Sequence, residues 1–171
     1  WHIYAMENKG ELVGALTRGR KNGDWVNGPL WVPPRDDRLE REKLGIQDGL
    51  LFDYVQDLKV YHCPSDRGPE LFNGGYRSFS ISACMDWYTS SLPYVAGKFS
   101  DIVSPATRAV FIENTDNRGW NMGAWEMIRT QPKPAWWDPL AVWHGERSMF
   151  GFADGHADPH RWVDRSTLEL T

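Results

Sequence analysis

The stretch WHGERSMFGFADGHADPHRW, Trp143 to Trp162, decides the reading of the fold. Met149–Ala153 and His156–Trp162 are strand-like runs on either side of Asp154-Gly155. Asp-Gly between two such runs is a strong short-range hairpin signal, because a two-residue loop of this kind needs positive φ at both central positions. On the second strand His156, Asp158, His160 and Trp162 fall on one face by period two. Two imidazoles and a carboxylate there can present ligands to a Zn²⁺ ion, but an exposed polar face beside solvent is the first expectation. Pro159 lacks a ladder donor and marks this strand as an edge.

Working outward, Ala109–Glu113 is a continuous apolar run, expected as a buried central strand. Tyr76–Cys84 alternates serines with Arg77, Phe79, Ile81 and Ala83, expected as a half-buried strand with its odd positions inward. Lys59–Cys63 reads as a short strand ended by Pro64. Leu50, Leu51, Tyr54, Val55 and Leu58 recur at helical spacing, and Asp37–Lys43 reads as a short charged helix. Residues 11–45 are otherwise broken by Gly14, Gly19, Gly23, Gly28, Pro29, Pro33 and Pro34. At the start, Trp1, Ile3 and Tyr4 belong to a helix that Gly10 stops. That helix has no N-cap, so a segment is expected upstream of it. The class is α+β, with helices against an antiparallel sheet and long loops, and 1–171 is expected to form a single globular domain.

The chain has 171 residues, with 19 Lys and Arg against 23 Asp and Glu, a net charge of −4. This balance argues against a nucleic-acid partner, which requires a basic face. No apolar run approaches the roughly 20 residues that span a bilayer. Ten Trp is an unusual number. Trp120, Trp125, Trp136, Trp137 and Trp143 lie close together among Pro132, Pro134 and Pro139. Either these rings fill a small core, or some are exposed and stack on a sugar or a partner. Cys63 and Cys84 each close a predicted strand, and in an exported protein such a pair is expected as a disulfide.

His144, nine residues, then Asp154-Gly155 resembles the C-terminal signature of the H-x9-D-G family of prepilin-type, pseudopilin-like proteins, relatives of the type II secretion major pseudopilin. Further segments agree in the same order. Tyr4-Ala5-Met6-Glu7-Asn8-Lys9-Gly10-Glu11-Leu12 resembles the end of the family's long N-terminal helix. Gly49–Tyr54, then Val60-Tyr61-His62-Cys63-Pro64-Ser65-Asp66, resembles its helix, strand and C-P-S-D turn. Ser104-Pro105-Ala106-Thr107-Arg108-Ala109-Val110-Phe111-Ile112-Glu113 resembles its strand ending in Glu. The resemblance implies a type IV pilin-like fold, with an N-terminal helix on an antiparallel sheet. It also implies a prepilin leader, and an upstream apolar helix that anchors in the inner membrane and assembles with other pseudopilins or secretion-system components. The globular part would then lie in the cell envelope, facing the periplasm or the outside.

Within this frame His144 is expected to hydrogen-bond near the start of the hairpin or to bind a metal, and Glu113 to satisfy His144 or a backbone amide. A Ca²⁺ ion is a second metal option, in the loop holding Glu113, Asn114, Asp116 and Asn117. Known catalytic motifs such as G-x-S-x-G, H-E-x-x-H and the phosphate loop are missing from the sequence, and no enzyme activity is expected. Three functions remain open: a structural subunit of a type II secretion or pilus-like system, a surface module binding a glycan or a secreted partner, and a metal-dependent hydrolase built on His144, Asp154, His156 and His160.

Overall fold

The computed structural model describes residues 1–17, 23–28, 37–68, 75–86, 95–115, 123–128 and 135–169. It is a mixed helix-and-sheet protein whose five-stranded sheet is mostly antiparallel. The strands are β1 (Phe79–Ser82), β2 (Ala109–Glu113), β3 (Ala124–Trp125), β4 (Met127–Ile128), β5 (Ala135–Trp136), β6 (Arg147–Phe152) and β7 (Ala157–Arg161). Sheet order is β3-β1-β2-β6-β7, and β4 and β5 form a separate two-stranded sheet. Only β3 runs parallel to its neighbour, pairing Ala124 with Ile81. The helices are short: α1 (His2–Glu7), α2 (Arg38–Gln47), α3 (Phe52–Val55) and α4 (Arg165–Leu168). Among the described residues no helix is long and apolar enough to cross a membrane.

The apolar run at 109–113 becomes β2, between β1 and β6, as expected of a central strand. Ile112 and Glu113 point to opposite faces of the sheet and both are wholly buried, so each face is covered at this end. Glu113 is directly opposite Phe79 of β1. Along β1 the expected half-exposed pattern does not hold, because Ser80 and Ser82 are as buried as Ile81. They are tolerated inside because their hydroxyls are paired: Ser80 accepts from Arg77 at 3.0 Å and Ser82 from the Cys84 amide at 3.2 Å.

Asp37 caps α2 by accepting from the amides of Leu39 and Glu40. The helix packs tightly on the preceding chain. A Cβ on Gly45 would sit 2.3 Å from the Gly28 carbonyl oxygen, an approach open only to glycine. The helical period at 50–58 does not give one helix. The amides of Leu50 and Leu51 bond the carbonyls of Asp24 and Trp25 instead of the preceding turn, and α3 ends at Gln56 with φ 54°. The strand expected at Lys59–Cys63 is a 3-10 turn over Leu58–Tyr61, started by the Asp57 carboxylate on the Lys59 amide. The Ser78 amide reaches back to it, bonding the Tyr61 carbonyl.

Trp25 centres the core. It is 2% exposed, its indole N–H donates to the Gly123 carbonyl, and the Arg77 guanidinium lies 5.0 Å from its ring. Tyr4 and Ala5 are the buried face of α1, whose end is closed by the Gly10 amide on the Ala5 carbonyl.

Candidate functional site

Four segments meet at the end of β2, and each is held by its own local geometry. Cys63-Pro64-Ser65-Asp66 is a turn, closed at 2.9 Å by the Asp66 amide on the Cys63 carbonyl, with Pro64 where fixed φ is favoured. Ser78, just before β1, fastens that turn: its hydroxyl donates to Asp66 Oδ2 at 2.7 Å and accepts from the Cys63 amide at 2.9 Å. His62 Nδ1 accompanies them, 2.8 Å from the Tyr76 carbonyl. On the other side the chain from Pro139 to His144 runs back along β2. The Ala141 amide bonds the Glu113 carbonyl, and Asn114 donates to the Pro139 carbonyl.

The side chains of Cys63, Glu113 and His144 converge here. His144 Nε2 donates to Glu113 Oε1 at 2.8 Å, and the Met149 amide of β6 donates to Oε2 at 2.8 Å. Cys63 Sγ lies 3.5 Å from the same His144 Nε2. Cys63 is 5% exposed and Glu113 is fully buried, whereas a third of the His144 side chain reaches solvent. One ligand atom from each of the three lies within 4.8 Å of the others. Burial pushes the Cys63 thiol up; a bond from the Ser65 backbone opposes this, and the Glu113 carboxylate pushes it up further. A nucleophilic relay would set the thiol on one imidazole nitrogen and the carboxylate on the other. Here both address Nε2, so the cluster is not arranged as such a relay.

The expected Cys63–Cys84 disulfide is absent: both are free thiols. Cys63 belongs to the Glu113–His144 cluster, while Cys84 lines a cleft of about 460 Å³ with Met85, Ala96, Ile102 and Trp125. The expectation took both residues as strand ends, but Cys63 lies in a turn after a 3-10 segment. The role of Cys63 beside His144 was missed for the same reason. The C-P-S-D resemblance was the available signal, because it marked Cys63 as a turn residue.

His156, Asp158 and His160 do not gather around a common point with His144. The hairpin loop has three residues, because the Phe152 amide bonds the His156 carbonyl and Gly155 alone has positive φ, at 96°. This is a turn followed by a glycine bulge rather than the two-residue loop expected. Asp154 accepts from the His156 ring at 2.5 Å and from its amide at 3.2 Å. Asp158 lies 3.6 Å from the other nitrogen of His156. His160 packs against Trp162 and Phe150 instead, with centroids at 4.4 and 5.5 Å. Among the described residues the three-ligand group is Cys63, Glu113 and His144. For the calcium option, both Glu113 oxygens are already engaged by His144 and Met149, and Asp116 and Asn117 lie outside the described residues.

Of the tryptophans singled out, Trp125, Trp136 and Trp143 are half-buried and Trp137 is 63% exposed, while Trp120 lies outside the described residues. Trp125, Trp136, Trp162, Phe150, Phe152 and His156 form a run of rings, each against the next, at centroid separations of 4.3 to 6.3 Å. Trp162 is tied down by its N–H on Ser148 at 2.8 Å. Comparison with family models, curated proteins and solved structures matches none of them to this chain.

Proposed function

We propose that the chain is the globular part of an exported, pseudopilin-like structural subunit with a type IV pilin-like fold. Its apolar helix would lie upstream, anchor in the inner membrane and assemble with other pseudopilins or secretion-system components. The observation that carries this reading is where the signature residues lie. Cys63 and Asp66 of the C-P-S-D turn, Glu113 at the end of its strand and His144 of the H-x9-D-G segment come from distant parts of the chain. All of them join backbone segments at the end of β2. Asp154 and Gly155 do the same for the hairpin turn. These are the duties of a rigid building block, and the buried, protonation-favouring setting of Cys63 supports that reading over nucleophilic catalysis.

The test is the complete gene product, co-expressed with a prepilin peptidase. The reading expects a basic leader and an apolar helix before Trp1, and a mass loss equal to the leader on processing. An N-terminus without an apolar helix, or one the peptidase leaves intact, overturns it.

The ring run from Trp125 to His156, with Trp137 exposed nearby in sequence, favours a second reading: a surface module that stacks on a glycan or docks a secreted partner. A glycan array with the intact chain and with Trp137→Ala separates the two. Binding lost in a variant that keeps its melting temperature supports the module.

A further inference from the structure

Three features of the Cys63–Glu113–His144 cluster call for more than a hydrogen-bond network. First, a wholly buried acidic side chain sets its two oxygens on one imidazole and one backbone amide, with a thiol beside the same imidazole. Second, the three side chains aim at one point from separate segments, and thiolate, imidazole and carboxylate are the ligand set that zinc takes. Third, the spacing is near that of a metal site. Zn–S of about 2.3 Å and Zn–N of about 2.0 Å at a tetrahedral angle put sulfur and nitrogen about 3.5 Å apart. Cys63 Sγ and His144 Nε2 are 3.5 Å apart.

We propose that Cys63, Glu113 and His144 bind one soft divalent transition-metal ion of the zinc class. The proposal does not depend on the pilin reading, and it differs from the zinc and calcium options raised by the sequence in taking Cys63 as a ligand. Cys63 Sγ, His144 Nε2 and Glu113 Oε1 supply three tetrahedral positions, and the exposed side of His144 leaves the fourth to water. The N···O pair, now hydrogen-bonded at 2.8 Å, must open by roughly half an ångström to a tetrahedral edge. His144 can make that adjustment: it is a third exposed and precedes a turn in which Gly145 and Glu146 both have positive φ. Glu113 Oε2 keeps its bond from the Met149 amide and the Ser65 backbone keeps its bond to Cys63, the outer contacts that orient metal ligands. On loading, the Cys63 S–H proton leaves to solvent and the imidazole proton moves from Nε2 to Nδ1, so a neutral His144 yields one proton released per ion.

The reduced, chelator-stripped chain is titrated with Co²⁺ as an optical stand-in for zinc. A thiolate-to-cobalt charge-transfer band should grow, saturate at one ion per chain and disappear when Zn²⁺ is added. It should persist in Cys84→Ser and vanish in Cys63→Ser. No such band in the wild-type chain overturns the site, as does a band that survives Cys63→Ser. Should Cys63→Ser fail to fold, X-ray absorption on the zinc-loaded wild-type chain decides without a variant. One sulfur ligand with nitrogen and oxygen neighbours supports the site, and none or two sulfurs overturns it.

Discussion

Two carboxylate–imidazole pairs, Glu113–His144 and Asp154–His156, bracket β6 and invite opposite conclusions from the same chemistry. The surface pair is the shorter, 2.5 Å against 2.8 Å. It is also the weaker in consequence. Asp154 and His156 are each more than a third exposed, two residues apart, and water can replace either partner. Glu113 is fully buried, 31 residues from His144, and carries a bond from the Met149 amide of β6. Distance grades the geometry of a contact; burial and the groups left stranded grade its energy.

The comparison breaks most decisively at Glu113. Glu113→Ala strands the Met149 amide and removes the acceptor of His144, both at the covered end of the central strand. Urea denaturation should show a loss of about 4 kcal/mol, or failure to fold at all. Glu113→Gln keeps one acceptor and should lose about half as much. A Glu113→Ala variant as stable as wild type would mean that the junction holds nothing together.

At the surface pair the backbone should matter more than the charges. Gly155 has φ 96°, and a Cβ there would lie 3.3 Å from His2 Nε2. Gly155→Val should cost roughly 1–3 kcal/mol by strain at positive φ. Replacing His156 by Ala should cost less than that. A reversal of this order, read from thermal melts, would make the ion pair and not the turn the stabilising element.

How much of this could be read from the sequence depends on whether a residue's role is local. β2 was legible because a continuous apolar run has one simple use; Asp154-Gly155 marked the place of the hairpin but not its loop, which has three residues with positive φ at Gly155 alone. The expected contact of Glu113 with His144 is also present, since a polar end to an apolar strand needs a partner. The 50–58 helix failed because its amides found the carbonyls of residues 24 and 25, a pairing no periodicity reveals. Of the zinc face expected at His156, Asp158 and His160, only the last two lie on β7, and His156 precedes the strand at the end of the loop. What the pattern could not tell is that His156 stacks on Phe152 and turns to Asp154, while His160 joins the rings. The serines of β1 look like a solvent face by type, but Ser80 and Ser82 are buried with their hydroxyls accepting from Arg77 and from the Cys84 amide.

The two cysteines extend the contrast between buried and open groups. Native-state alkylation at pH 8 should modify Cys84, half-buried at its cleft, about tenfold faster than Cys63, which is buried with its thiol pushed up. In denaturant without reductant both should label. Only one or neither labelling there would mean that the thiols are paired or blocked.

The smallest effect sharpens the comparison most directly, because it reads the surface pair by itself. Desolvation pulls the Asp154 carboxyl up, but the hydrogen bonds from the His156 ring and amide together outweigh it and hold the group below its ordinary value of 3.8. A carboxyl depressed in the folded state contributes stability above its unfolded value, and that contribution is lost as the pH falls through the folded one. The depressed carboxyl should therefore release its contribution as the pH falls below 3.8. Carbon-detected NMR of the Asp154 side chain follows the titration directly. In His156→Ala the midpoint should move up toward 3.8, retaining only the part of the depression due to the backbone amide. An unmoved midpoint would show that the 2.5 Å ring contact does not persist in solution, and the turn would then rest on Gly155 and the amide alone.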